Sequence, residues 1–156
     1  MSFFGRLFGR LETNQISTQT APSTVAIDTR HARDRQTAQT ALPRNTREEA
    51  IGDTTYWVYS FTDQFERQYT MGAYFDGREY QVRVLSPRIP EEVGLTPDQL
   101  SIHDCHIFPN GRICLNPPAN GALTLQEAYS KSVIWATGFT AYCEIGQFPF
   151  SKNNER

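Results

Sequence analysis

Phe3, Phe4 and Phe8 aside, every aromatic residue of this chain lies between Tyr56 and Phe150. The intervening stretch, TNQISTQTAPSTVAIDTRHARDRQTAQTALPRN, is built from Thr, Gln, Ala and Arg. A segment of that composition buries too little apolar surface to offset the entropy of ordering it. The core must therefore form from the second part. Residues 1–45 read as a flexible tail and residues 46–152 as one domain, within the size range of a single fold.

Charge follows the same division. Residues 1–44 carry six arginines against three acids, yet the whole chain has a formal net charge of −2. That balance argues against nucleic-acid binding by bulk charge. No run of some 18 apolar residues exists to span a membrane. Arg6 and Arg10 interrupt the apolar N-terminus, so it does not read as a secretory leader. With three cysteines, an odd number, the expectation is reduced thiols in a cytoplasmic protein.

The first eleven residues, MSFFGRLFGRL, differ from the polar stretch after them. Phe3, Phe4, Leu7, Phe8 and Leu11 fall at helical spacing, with Arg6 and Arg10 on another face. The pattern predicts a short amphipathic helix suited to docking on a partner groove or a membrane surface.

The domain reads as strands followed by a helix. TREEA, Thr46–Ala50, offers a cap and an acidic first turn for a short helix. YWVYSF and YTMGAYF are strand-like, and Asp76–Gly77 is a hairpin signal leading into the alternating REYQVRVL. Pro87 and Pro90 break the next segment, and LSIHDCHIF reads as extended. In TLQEAYSKSVIWATGFTAYC, Thr124 and Glu127 have capping-box spacing, and a broad apolar face comes after them. Gly138 is expected to end or bend that helix. The predicted class is α+β, an antiparallel β-meander with flanking helices.

Chemistry concentrates at HIFPNGRICLN, His106–Asn116. A thiol nucleophile needs exposure, a polar group to receive its proton and donors for an oxyanion. A reversal at Asn110–Gly111 would bring His106 alongside Cys114, with Asn116 two residues beyond. His103 and His106 are two of only three histidines in the chain.

This segment, with LTLQEAYSKSVIWA after it, resembles the active-site region of ubiquitin-conjugating enzymes. The matching residues are Ile107, Asn110, Gly111, Ile113, Cys114, Leu115, Thr124 and Leu125. FDGREYQVRVLSPRIP is similar to the family's strand leading into a Pro-rich crossing. The resemblance spans residues 70–142. Aligned on Cys114 without gaps, the family's His-Pro-Asn falls on Asp104, Cys105 and His106, so His106 stands where the family has asparagine. LNPPANGAL lacks the Trp-Ser-Pro of eukaryotic members, and no long first helix is evident before Tyr56. These departures imply a divergent, bacterial-type member.

The resemblance implies a conjugating-enzyme-like fold and an acyl transferase. Cys114 would accept the C-terminus of a ubiquitin-like protein as a thioester from an activating enzyme, then pass it to a target amine or thiol. His106 would be the oxyanion donor or base, supported by His103, Asn110 and Asn116. No metal or small cofactor is implied. The partners implied are the activating enzyme, the ubiquitin-like protein and a protein target, and the setting is bacterial antiphage defence.

Four other readings remain open. Cys114 in ICL could be a core filler. His103, Cys105, His106 and Cys114 could bind zinc, although closed sites usually pair ligands in each half. A Cys/His hydrolase would ordinarily seat its thiol at a helix N-terminus. A conjugating-enzyme-like fold could also serve as a non-catalytic scaffold. Cys105 and Cys143 are expected to pack and carry no assigned role.

Overall fold

The computed structural model describes residues 26–27, 29–94, 105–116 and 121–149. The expected docking helix at 1–11 and His103 lie outside the described residues. The chain divides into two units, Met1–Gln36 and Thr37–Arg156.

Helix α1 covers 29–40, within the stretch that sequence composition assigned to the tail. Arg30 and Asp34 pair one turn apart in it (4.0 Å). Ala38 and Leu42, four residues apart, join the buried core of the second unit. Helices in proteins owe most of their stability to a packed face; Ala38 packs from the end of α1, and Leu42 from the turn after it.

Four strands come next: β1 (Arg47–Ile51), β2 (Thr54–Thr62), β3 (Gln68–Phe75) and β4 (Tyr80–Ser86). They form one antiparallel sheet in chain order, a meander. The helix expected at Thr46–Ala50 is instead β1, paired from Arg47↔Val58 to Ile51↔Thr54. Its local helix signals lose to a two-residue turn, Gly52–Asp53, with Gly52 at φ 61°, a hairpin signal in its own right. Upstream, Asn45 bonds both the N–H and the carbonyl of Ser60 (2.9 Å each), which fixes where β1 enters. All five β1 residues are exposed, and charged side chains suit such an edge.

After β4, Pro90 opens the short helix α2 (Ile89–Val93), which Gly94 ends in the left-handed conformation. The last helix, α3 (Leu125–Ile145), starts at Thr124, whose Oγ1 accepts from the Glu127 N–H (3.1 Å). It runs straight through Gly138, where the sequence predicted an end or bend, and stops at Gly146 (φ 74°).

The core lies between one face of the sheet and α3. Tyr59, Tyr69, Met71, Tyr80 and Val82 meet Leu125, Ala128, Trp135 and Phe139. Tyr59 and Tyr69 bring hydroxyls into this core, and each finds a partner on α3. Tyr59 donates to Ser132, which donates to the Tyr129 carbonyl; Tyr69 donates to Thr140, which donates to Asp63. Buried hydroxyls without partners would be costly, so these bonds set the register of helix on sheet. No described helix is long and apolar enough to cross a membrane.

Candidate active site

The site is built on a tight reversal. The Gly111 N–H donates to the Phe108 carbonyl (2.9 Å), and the Phe108 N–H to the Arg112 carbonyl (2.8 Å). Asn110 Oδ1 accepts from the Arg112 N–H (3.0 Å), the bond by which a turn asparagine mimics backbone. Gly111 has φ 84°, a region that glycine enters without steric cost. The Arg112 guanidinium lies 4.0 Å from the centre of the Phe108 ring.

The two arms then pair. Ile107 bridges Ile113, and the Cys114 N–H donates to the His106 carbonyl (2.8 Å). The second arm also hooks onto β4, with Ile113 N–H to the Val82 carbonyl (2.9 Å) and Val84 N–H to the Gly111 carbonyl (3.0 Å). Further along, Ala122 and Tyr80 exchange two bonds of 2.8 Å. Gly121 makes that approach sterically feasible, because a Cβ there would fall 2.4 Å from the Tyr80 carbonyl oxygen. Cys114 thus sits on an irregular continuation of the sheet.

The Cys114 thiol is half-buried and donates weakly to the Asn116 carbonyl (3.5 Å). Burial pushes it above its ordinary value, while the nearby Arg112 charge pulls it back. The Asn116 side chain holds two further groups. Its Nδ2 donates to the Gly121 carbonyl (2.7 Å), and its Oδ1 accepts from Lys131. Lys131 also pairs with Glu127 (3.0 Å), whose other oxygen accepts from the Leu123 N–H (3.1 Å). Hairpin and α3 are thereby laced together through one asparagine.

A pocket of about 250 Å³ opens beside the thiol. Cys114, His106 and Leu115 line it from the hairpin, and Lys131, Ile134 and Trp135 from α3. Phe148 lines it too, after the chain leaves α3. The Phe148 ring centre lies 4.7 Å from that of His106. Trp135 Nε1 donates to the Cys105 carbonyl (3.0 Å), which anchors the backbone just before His106. His106 itself has φ 54°, a left-handed conformation in which histidine and asparagine are enriched among non-glycine residues.

Of the residues singled out in the sequence, Cys114 and His106 line one pocket. The Asn110 side chain holds backbone, and that of Asn116 holds both backbone and Lys131. Cys105 is buried, whereas Cys143, expected to pack, is exposed. Among the described residues no group of three His, Cys, Asp or Glu side chains could hold a metal ion. Sequence reasoning missed Lys131, Trp135 and Phe148 as site residues. Two signals were available: Lys131 lies one helical turn after Glu127, and a glycine inside a strong helical pattern points to close packing.

Comparison with protein-family models, with curated proteins and with solved structures finds no match to the chain.

Proposed function

We propose that the chain is a conjugating-enzyme-like acyl carrier, which takes the C-terminus of a ubiquitin-like protein as a thioester on Cys114 and passes it to an amine of a protein target. The observation that carries this reading is that the half-buried Cys114 and His106 line one pocket. The resemblance of the surrounding motif to ubiquitin-conjugating enzymes supplies the substrate class.

The chemistry rests on these positions. Burial keeps the thiol protonated near neutral pH, so charging needs a proton acceptor, and His106 is the titratable neighbour suited to that task. Once formed, a thiolate of raised pKa is the stronger nucleophile. It attacks the carbonyl carbon of the incoming thioester, a tetrahedral oxyanion forms, and the activating enzyme's thiolate leaves. In the second step a neutral amine attacks the Cys114 thioester, Cys114 leaves as thiolate, and the proton lost from the nitrogen returns to the sulfur. His106, in the left-handed conformation at the place of the family's asparagine, is the candidate donor to both oxyanions. Ile134, Trp135 and Phe148 keep the pocket apolar, which disfavours hydrolysis against aminolysis.

The test is chemical. Cys114→Ser, charged by the cognate activating enzyme with ATP and the ubiquitin-like protein, should accumulate an ester adduct that survives thiol reductant. Its absence, with the parent chain also uncharged, would reject the reading.

A further inference from the structure

The polar lacing beside the thiol contains a primary amine. Lys131 is one of only two lysines in the chain, and it lines the same pocket as Cys114. One residue holds both groups: the Asn116 carbonyl accepts from the Cys114 thiol (3.5 Å), while Asn116 Oδ1 accepts from Lys131 Nζ. Both groups line one pocket, and the four-carbon stem of lysine lets the amine move within it. A carrier built this way faces an internal competitor for its own cargo.

What stands against that reaction is also visible. Lys131 Nζ is held by the Glu127 carboxylate (3.0 Å) as well as by Asn116. Glu127 is fixed in turn by the Leu123 N–H (3.1 Å), and its backbone N–H is bonded to Thr124. A lysine ammonium has no lone pair with which to attack, and here its N–H bonds are held by two acceptors, one on α3 and one on the hairpin. The lysine side chain is about one-third exposed (32%), so release needs no unfolding.

Resting on the acyl-carrier reading above, we propose that Lys131 is a gated internal acceptor, and that the Glu127–Asn116 clamp protects the Cys114 thioester from transfer to it. When the clamp opens, the ammonium gives its proton to solvent and the free amine attacks the thioester carbonyl carbon. The C–S bond breaks, Cys114 leaves as a thiolate and is reprotonated, and an amide remains on Nζ. Thioester and amine become amide and thiol, with no redox partner. The modification would block one pocket wall and remove the Lys131 charge.

The probe is an N-acetyl-Gly-Gly alkyl thioester, which charges cysteines by thiol exchange. It is applied to the full chain carrying Cys143→Ser, because Cys143 is an exposed thiol. Intact-mass and peptide mapping, before and after hydroxylamine, separate the labile adduct on Cys114 from the stable amide on Lys131. Glu127→Gln retains an acceptor for the Leu123 N–H but removes the charge partner. It should speed Lys131 amide formation about fivefold, the factor equivalent to about 1 kcal/mol of a partly exposed ion pair. Adding Lys131→Arg or Cys114→Ala should abolish the amide at that position. A labile Cys114 adduct with no faster Lys131 amide in Glu127→Gln overturns this inference alone, as does an amide that forms equally without Cys114. No labile adduct on Cys114 at all overturns the acyl-carrier reading together with it.

Discussion

Gly138 of α3 faces the Phe148 ring so closely that a Cβ at 138 would lie 2.5 Å from the ring's Cζ. This contact seats Phe148 against His106 in the pocket lining. Gly138→Ala should therefore destabilise the domain although it improves helix propensity. Overpacking costs about 1–3 kcal/mol, and the propensity gain offsets about 1 kcal/mol of it. Urea unfolding checks this, and Gly138→Ala should become neutral or stabilising in a Phe148→Ala background. A Gly138→Ala effect that is the same with and without the Phe148 ring would contradict the packing account.

The same contact explains part of what the sequence could and could not reveal. The meander, the Asp76–Gly77 turn, the Thr124 cap and the reversal at Asn110–Gly111 were legible because each rests on local chemistry over a few residues. β1 was misread because TREEA carries helix-start signals, which the Gly52–Asp53 turn and the edge of β2 override. α1 was hidden by composition, since Ala38 and Leu42 look trivial until a core exists for them. At the site, Cys114 and His106 were found by motif and turn. Lys131, Trp135 and Phe148 come from segments 17 to 34 residues beyond Cys114, and no local pattern brings them to the thiol.

The Cys114 thiol should titrate above an ordinary cysteine. Burial disfavours the thiolate more than Arg112 favours it, so alkylation at Cys114 should still be rising at pH values where a model thiol has levelled off. Arg112→Gln removes the favourable charge and should move the profile further upward. Rates tracked by peptide mapping against pH check both. A profile below that of a free thiol would contradict the electrostatic account.

His106 combines a role in the pocket with a left-handed backbone, φ 54°. A β-branched residue there is the severe case: His106→Val should cost about 1–2 kcal/mol from backbone strain alone. His106→Asn should fold normally, since asparagine tolerates that region. If His106 is the proton acceptor, His106→Asn should also slow Cys114 alkylation near neutral pH and spare it at high pH. A uniform loss at all pH values would assign it a purely structural part.

Alkali should unfold the domain through its buried tyrosines. Burial raises Tyr59, and raises Tyr69 to about 12. The folded chain then keeps these phenol protons where the unfolded chain releases them. Stability is full below the ordinary tyrosine value of about 10 and falls as pH rises from there toward about 12. Tyr69→Phe should cost about 1 kcal/mol near neutrality for the lost bond to Thr140, yet flatten the alkaline decline. Thermal melts across that range test it, and an equal alkaline slope in Tyr69→Phe would contradict it.

The acyl-carrier account is tested most directly by trapping the charged chain. The protein is incubated with its activating enzyme, the ubiquitin-like protein and ATP, and the products are separated with and without reductant. The account predicts an adduct that reductant removes, present in the parent, in Cys105→Ala and in Cys143→Ser, and missing in Cys114→Ala. An adduct that persists in Cys114→Ala, or a Cys114 that neither charges nor reacts with small alkylating agents, would contradict it and leave the thiol as a packing residue of a scaffold.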